Sequence, residues 1–165
     1  MLIAGRGADV IAGGTGIDTA SFAGSAAGVT VNLATGLADG GDATGDVLIG
    51  VENLAGSSFD DVLSGTEAGS TIDGGAGIDT VSYAGSQDAV AVNLTTNVNT
   101  GGDAGGDLLS NVENVTGSAF NDVLTGDAAA NTLLGGDGDD VLAGMAGADV
   151  IDGGAGNNTA DYSGS

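Results

Sequence analysis

Seven aspartates, Asp9, Asp18, Asp61, Asp79, Asp122, Asp140 and Asp149, each stand sixth in a nine-residue pattern, Gly-Gly-x-Gly-x-Asp-x-apolar-x. Three further copies carry Ser70, Asn131 or Asn158 at that position. A carboxylate pair for acid–base catalysis should be singular, whereas these recur every nine residues. The chain has no histidine for general-base work, no cysteine nucleophile and no lysine for a Schiff base. These absences argue against an enzyme. Repeated carboxylates beside glycine carbonyls suit a hard cation instead. Calcium takes about 6–8 oxygens at about 2.3–2.6 Å, from carboxylates and backbone carbonyls. Without His or Cys only oxygen ligands remain, which disfavours zinc and copper. Aspartates that merely accept backbone hydrogen bonds in turns are the plainer alternative. That alternative leaves the chain's charge unneutralised.

The plainest copies are Gly135 to Ala143 and Gly74 to Ser82. The nonapeptides run in tandem in three groups, 4–21, 56–82 and 117–161, separated by inserts at 22–55 and 83–116. A longer repeat contains both kinds of segment: residues 13–73 align without gaps on residues 74–134. Each insert holds an alternating strand, Val29, Val31, Leu33 or Val90, Val92, Leu94. A Gly-Gly-Asp loop follows at 40–42 or 101–103, then a degenerate nonapeptide ending in Gly45-Asp46-Val47-Leu48 or Gly106-Asp107-Leu108-Leu109.

These elements position the aspartates as follows. The first six residues of each copy form a turn, where glycine supplies positive φ without a Cβ clash. The last three form a short strand that sends one aliphatic residue inward, such as Leu63, Ile72, Leu124, Leu133, Leu142 or Ile151. Two nonapeptides make one coil, so alternate copies stack on the same edge at about 4.8 Å. Stacking predicts an all-β parallel roll over residues 1–165, with a thin aliphatic core. It brings Asp61 to Asp79 and Asp122 to Asp140 as complete pairs. Asn131/Asp149 and Asp140/Asn158 lack one carboxylate. Carbonyls of Gly14, Gly16, Gly75, Gly77, Gly136 and Gly138 are expected in the gaps as further metal oxygens. Asp9 and Asp18 have no partner within their own group, and would draw on an insert or on turns outside the sequence. Asp46 and Asp107 extend the candidate set into the inserts.

Other residues read more plainly. Asp60, Asp137 and Asp139 are expected to be solvated, and Glu52 and Glu113 to be structural side chains where insert meets roll. Phe22, Tyr83, Tyr162, Phe59 and Phe120 are expected to plug the core at the inserts. Arg6 is expected at the surface or in a local ion pair.

Twenty-three acidic residues against one basic residue give a formal charge of −22, a repulsion that bound cations would relieve. No basic surface exists to meet nucleic-acid phosphates. No apolar run is long enough to span a membrane as a helix, and no cysteine offers a disulfide. There is no charged segment followed by an apolar one of signal-peptide type. The pattern begins and stops mid-stride, as in a piece of a longer protein.

In its tandem nonapeptides the chain resembles the haemolysin-type, repeats-in-toxin (RTX) calcium-binding repeats. The resemblance implies a parallel β-roll filled with several calcium ions. It further implies a bacterial protein exported by type I secretion machinery, unfolded in the low-calcium cytosol and folded outside the cell or at its surface. The fragment would serve as a folding and secretion module, or as a segment of a repetitive adhesin or surface layer. Its open ends would allow end-to-end association. An ice- or polysaccharide-binding solenoid is a weaker reading, since Thr19 and Thr80 form no ladder.

Overall fold

The computed structural model describes residues 1–164 and is almost entirely short β-strands joined by glycine-rich turns. Nearly every strand is three residues long, because each nonapeptide has only three residues left after its turn. Outside residues 30–49 and 91–110, successive strands alternate between two faces. One face stacks, in spatial order, Val10–Ala12, Val47–Ile49, Leu37–Asp39, Thr30–Asn32, Val62–Ser64, Thr80–Ser82, Asn114–Thr116, Thr132–Leu134 and Val150–Asp152. The other stacks Leu2–Ile3, Thr19–Ser21, Asn53–Ala55, Thr71–Asp73 and Leu108–Ser110, and then Ala91–Asn93, Val123–Thr125, Val141–Ala143 and Thr159–Ala160.

Where alternate nonapeptides stack, pairing is parallel with a shift of one coil. Val81 sits beside Leu63, Leu133 beside Ile151 and Leu124 beside Leu142. The middle residue of each strand points inward, by the period-two rule. Leu63, Ile72, Val81, Val115, Leu124 and Leu133 are thus almost completely buried in one continuous aliphatic ladder. A buried aliphatic side chain of this kind contributes about 1.5–3 kcal/mol. Phe22 and Tyr83 are buried within the same core.

The segments 22–55 and 83–116 break the parallel rule. Thr30–Asn32 pairs antiparallel with Leu37–Asp39, which pairs antiparallel with Val47–Ile49. A backward-running strand is thereby spliced into one face. Sixty-one residues on, the segment 97–100 does the same on the opposite face. There Thr100 bridges antiparallel to Ala91, and the Asn97 and Asn99 side chains bond the backbone of Leu109 and Asp107. An odd number of face changes separates the two splices, so they fall on opposite sides of the roll. Each Gly-Gly-Asp loop forms one turn of 3-10 helix, Gly41–Ala43 and Gly102–Ala104. Among the described residues, no helix is long and apolar enough to cross a membrane.

Candidate metal centre

The residue just before each strand forms a ladder along the two edges of the roll. Its backbone N–H donates to the side chain of the equivalent residue one rung on. On one edge Asp9 N–H donates to Asp46 Oδ1 at 2.8 Å, Asp61 N–H to Asp79 Oδ1 at 2.8 Å, and Asn131 N–H to Asp149 Oδ1 at 3.0 Å. On the other, Ser70 N–H donates to Asp107 Oδ1 at 2.7 Å, Asp122 N–H to Asp140 Oδ1 at 2.8 Å, and Asp140 N–H to Asn158 Oδ1 at 2.8 Å. The paired aspartates Asp61/Asp79 and Asp122/Asp140 are thus adjacent, and all four are buried. Asp9 meets Asp46, and Asp18 donates its N–H to Glu52 Oε2 at 2.9 Å; both partners lie in the segment 22–55.

The ladder engages one oxygen of each carboxylate. The fate of the second oxygen divides the turns into two kinds. In the turns 56–61 and 117–122 a serine stands second. Ser57 N–H donates to Asp61 Oδ2, and its hydroxyl donates to Oδ1 at 2.8 Å. Ser118 clasps Asp122 in the same way. In the turns 74–79 and 135–140 a glycine stands second: it has no hydroxyl for Oδ1, and no backbone N–H is donated to Oδ2. Asp79 Oδ2 and Asp140 Oδ2 are buried with no hydrogen-bond partner, and so is Asp46 Oδ2. Asp107 Oδ2 is rescued by the Tyr83 hydroxyl, which donates at 2.9 Å.

A buried carboxylate oxygen without a donor or cation is costly. The titration behaviour reflects this. Burial first, and then the negative charges of Asp61, Glu113 and Asp60, push Asp79 up to about 6, against the pull of the Asp61 N–H. Burial also pushes Asp107 up to about 6, although the Ser70 N–H and the Tyr83 hydroxyl oppose it. Asp140 is raised for the same leading reason. The Tyr83 hydroxyl is itself pushed far up, by burial and then by the Asp107 charge.

One backbone carbonyl lies beside each of two orphan atoms, Asp79 Oδ2 and Asp140 Oδ2. A Cβ at Gly135 would lie 2.3 Å from Asp140 Oδ2 and 2.6 Å from the Gly153 carbonyl oxygen. Only glycine fits there, and its absent side chain leaves carboxylate and carbonyl facing a common space. The carbonyls of Gly136 and Gly138 face the next coil, where Cβ atoms on Gly154 and Gly156 would fall 2.0 and 1.9 Å from them. The Gly136 carbonyl also accepts the Ala155 N–H at 2.8 Å. Gly75 and Gly77 hold the same two places in the turn 74–79, and Gly14 and Gly16 in the turn 13–18, all at positive φ. Among the described residues, no three acidic, histidine or cysteine side chains converge. A cation here would be held by carboxylates in pairs, with backbone carbonyls completing the shell. The donor set is all oxygen and carries excess negative charge, which fits calcium.

Asp60 and Asp139 are exposed, as expected, yet each accepts a backbone N–H from the next coil, from Ile78 and Asn157 respectively. Asp137 is exposed too. Phe59 and Phe120 do not plug the core: they are 45% and 43% exposed. They occupy the fourth position of the turn, where sister copies have glycine, and the turn lies outside the aliphatic ladder. Tyr162 is likewise exposed. Glu52 and Glu113 are rungs of the carboxylate ladder rather than simple junction side chains, with Asp79 N–H donating to Glu113 Oε2 at 2.8 Å. Their position just before a strand and the repeated Val-Glu-Asn were the available signals; the missing Gly-Gly turn hid them. Arg6 is exposed and stands 3.8 Å from Asp42, a pairing of little energetic weight.

A search of curated proteins finds no match. The family model for the RTX calcium-binding nonapeptide repeat matches residues 1–20, 48–81, 55–88, 101–142 and 125–160. That family is a structural calcium-binding repeat rather than a catalytic one. These matches span most of the chain and coincide with the stacked turns and their buried aspartates, so the protein belongs to the RTX calcium-binding nonapeptide repeat family and is a calcium-binding β-roll module.

Proposed function

We propose that this roll is a calcium-driven folding switch within a larger secreted bacterial protein. The single observation that carries the reading is the set of buried carboxylate oxygens, on Asp46, Asp79 and Asp140, that have no hydrogen-bond donor. Without calcium their burial opposes folding, and with calcium it favours folding. A ligand bound only by the native state stabilises it by RT ln(1 + [L]/Kd), and several sites in one stack act together. Extracellular calcium sites of the weak class respond at about 10⁻⁴–10⁻³ M. The chain therefore stays unfolded in a low-calcium cytosol, threads through type I secretion machinery and folds outside.

In this reading Asp61/Asp79 and Asp122/Asp140 hold the principal ions. Asn131/Asp149, Asp140/Asn158, Asp9/Asp46 and Asp18 with its insert partner hold weaker ones, and Asp107 belongs to the same series. Carbonyls of Gly14, Gly16, Gly75, Gly77, Gly136 and Gly138 complete the shells. The nonapeptide groups 4–21, 56–82 and 117–161 form the calcium-bearing body, and the segments 22–55 and 83–116 are its inserts.

A second reading, a stiff segment of a repetitive adhesin or surface layer joined end to end, draws on the 61-residue repeat of insert and roll together. The two readings share the switch and differ in whether folded chains associate.

Far-UV circular dichroism of the chelator-stripped chain during a calcium titration tests the switch, with magnesium as the control. The expected result is a coil spectrum that turns to β cooperatively with calcium alone. A β spectrum already present in chelator, and unmoved by calcium, would contradict it. Sedimentation of the folded chain separates the readings, since only the second predicts concentration-dependent assembly.

A further inference from the structure

Asp79 has its neighbours on both sides along the ladder, but they differ in kind. On one side stands Asp61, in a nonapeptide turn. On the other the turn is missing, and the chain arrives from the second insert as Asn111-Val112-Glu113. The junction is nonetheless built to close tolerances. Glu113 Oε2 accepts the Asp79 N–H at 2.8 Å, while the Asp79 carbonyl accepts the N–H groups of Glu113 at 3.1 Å and Asn114 at 2.9 Å. The Asn131 side chain donates to the Glu113 carbonyl at 2.8 Å, which ties the junction to the following coil.

Asp79 is 1% exposed and its Oδ2 has no partner. A Cβ at Gly74 would lie 2.6 Å from that Oδ2 and 2.0 Å from the Asn111 carbonyl oxygen. The Asn111 carbonyl thus holds the place that the Gly153 carbonyl holds beside Asp140 Oδ2. Glu113 is one carbon longer than the aspartate it replaces. That length lets a residue without a glycine turn behind it still present a carboxylate on the ladder.

We infer that Asp79, Glu113 and the Asn111 carbonyl form a divalent-cation site that clamps the second insert onto the roll, a site outside the nonapeptide pattern. Asp79 Oδ2, Asn111 O and Glu113 Oε1 are its protein oxygens. The inference rests on the calcium reading above and adds a ligand type and a place that the nonapeptides do not supply. The same arrangement recurs 61 residues earlier, with Asp18, Glu52 and the Gly50 carbonyl. Asp18 is only half-buried, so that copy binds less tightly.

The test is isothermal calorimetry of the whole chain with calcium chloride, comparing wild type, Glu113→Gln and Asp88→Asn. Glutamine keeps an oxygen for the Asp79 N–H and removes only the charge, so a purely structural Glu113 survives the change. Asp88 is exposed and controls for loss of one negative charge. The expected result is one calcium ion fewer in Glu113→Gln, with a calcium midpoint raised several-fold, and wild-type values in Asp88→Asn. Calcium binding by wild type with an unchanged ion count in Glu113→Gln overturns the junction site alone. No calcium binding by wild type overturns both this site and the calcium reading. Should Glu113→Gln fail to fold, the side-chain carboxyl 13C resonance of Glu113 in the wild-type chain gives the answer. It shifts on calcium addition if Glu113 is a ligand, and an unmoved resonance in a chain folded by calcium overturns the site.

Discussion

Asp46 and Asp107 stand at the same place in two stretches of chain 61 residues apart, and they meet different fates. Both are buried, and both accept a ladder hydrogen bond through Oδ1. Asp107 Oδ2 receives the hydroxyl of Tyr83. The residue equivalent to Tyr83 in the first stretch is Phe22, which has no hydroxyl, and Asp46 Oδ2 is left without a donor. The same contrast separates Asp61 and Asp122, clasped by serines, from Asp79 and Asp140 in glycine turns. At Asp61, Asp107 and Asp122 both carboxylate oxygens have protein donors, whereas Asp46, Asp79 and Asp140 each keep one buried oxygen without a donor. The roll's rungs therefore divide into those whose carboxylates have protein donors for both oxygens and those with one oxygen left over, which the proposed calcium reading fills with metal.

The largest effect expected from this division is at the glycine turns. Asp79→Asn keeps an oxygen for the Asp61 N–H but removes the charged, unpartnered oxygen. It should raise the calcium midpoint about tenfold, corresponding to roughly 1.4 kcal/mol. Asp61→Asn, at a serine-clasped rung, should shift the calcium midpoint less and instead weaken whatever structure persists in chelator. Equal shifts in the two variants, read by circular dichroism against calcium, would erase the distinction.

Tyrosine 83 sharpens the comparison from the other side. Tyr83→Phe strips the donor from Asp107 Oδ2 and should cost about 1–3 kcal/mol in urea unfolding of the calcium-loaded chain. Phe22→Tyr should do the reverse for Asp46, adding about 1 kcal/mol and lessening that rung's dependence on calcium. Loss of stability in both variants would mean that the hydroxyl is tolerated at one place only for reasons of packing.

Acid offers a subtler test. Asp79 and Asp107 have folded-state values of about 6 in the metal-free chain, against an ordinary 3.8. A carboxyl whose value is raised by folding binds its proton more tightly in the folded state. The metal-free fold is therefore favoured below about pH 3.8 and loses this contribution as pH rises toward 6. In chelator, lowering the pH from 7 to below 4 should increase β content. Calcium competes with these protons, so its affinity should fall as pH drops through 6. A metal-free chain that loses β structure on acidification would contradict the assignment of burial as the leading cause.

Much of this was legible in the sequence. The register of the nonapeptides located the inward residues, and Leu63, Ile72, Leu124, Leu133 and Leu142 are all buried. The adjacency of Asp61 with Asp79 and of Asp122 with Asp140 followed from stacking two copies per coil. What escaped were features set by contacts between distant segments. Ser57 and Ser118 look like ordinary turn residues until their hydroxyls are placed against a carboxylate four residues on. Glu52 and Glu113 follow no glycine turn, so a pattern built on that turn passes over them, although they bond backbone 34 residues away. Phe59 and Phe120 suggested core plugs through their size, but a turn position leaves them half-exposed. The backward strand Leu37–Asp39 has too few alternating residues to announce its direction, which its neighbours impose.

The most direct measurement is X-ray diffraction from crystals of the calcium-loaded chain, with calcium located by its anomalous signal. The result expected is ions beside Asp79 Oδ2 and Asp140 Oδ2, each sharing its shell with a backbone carbonyl of the neighbouring rung. A folded roll with those two oxygens free of metal, or with calcium only on exposed carboxylates such as Asp60 and Asp139, would contradict it.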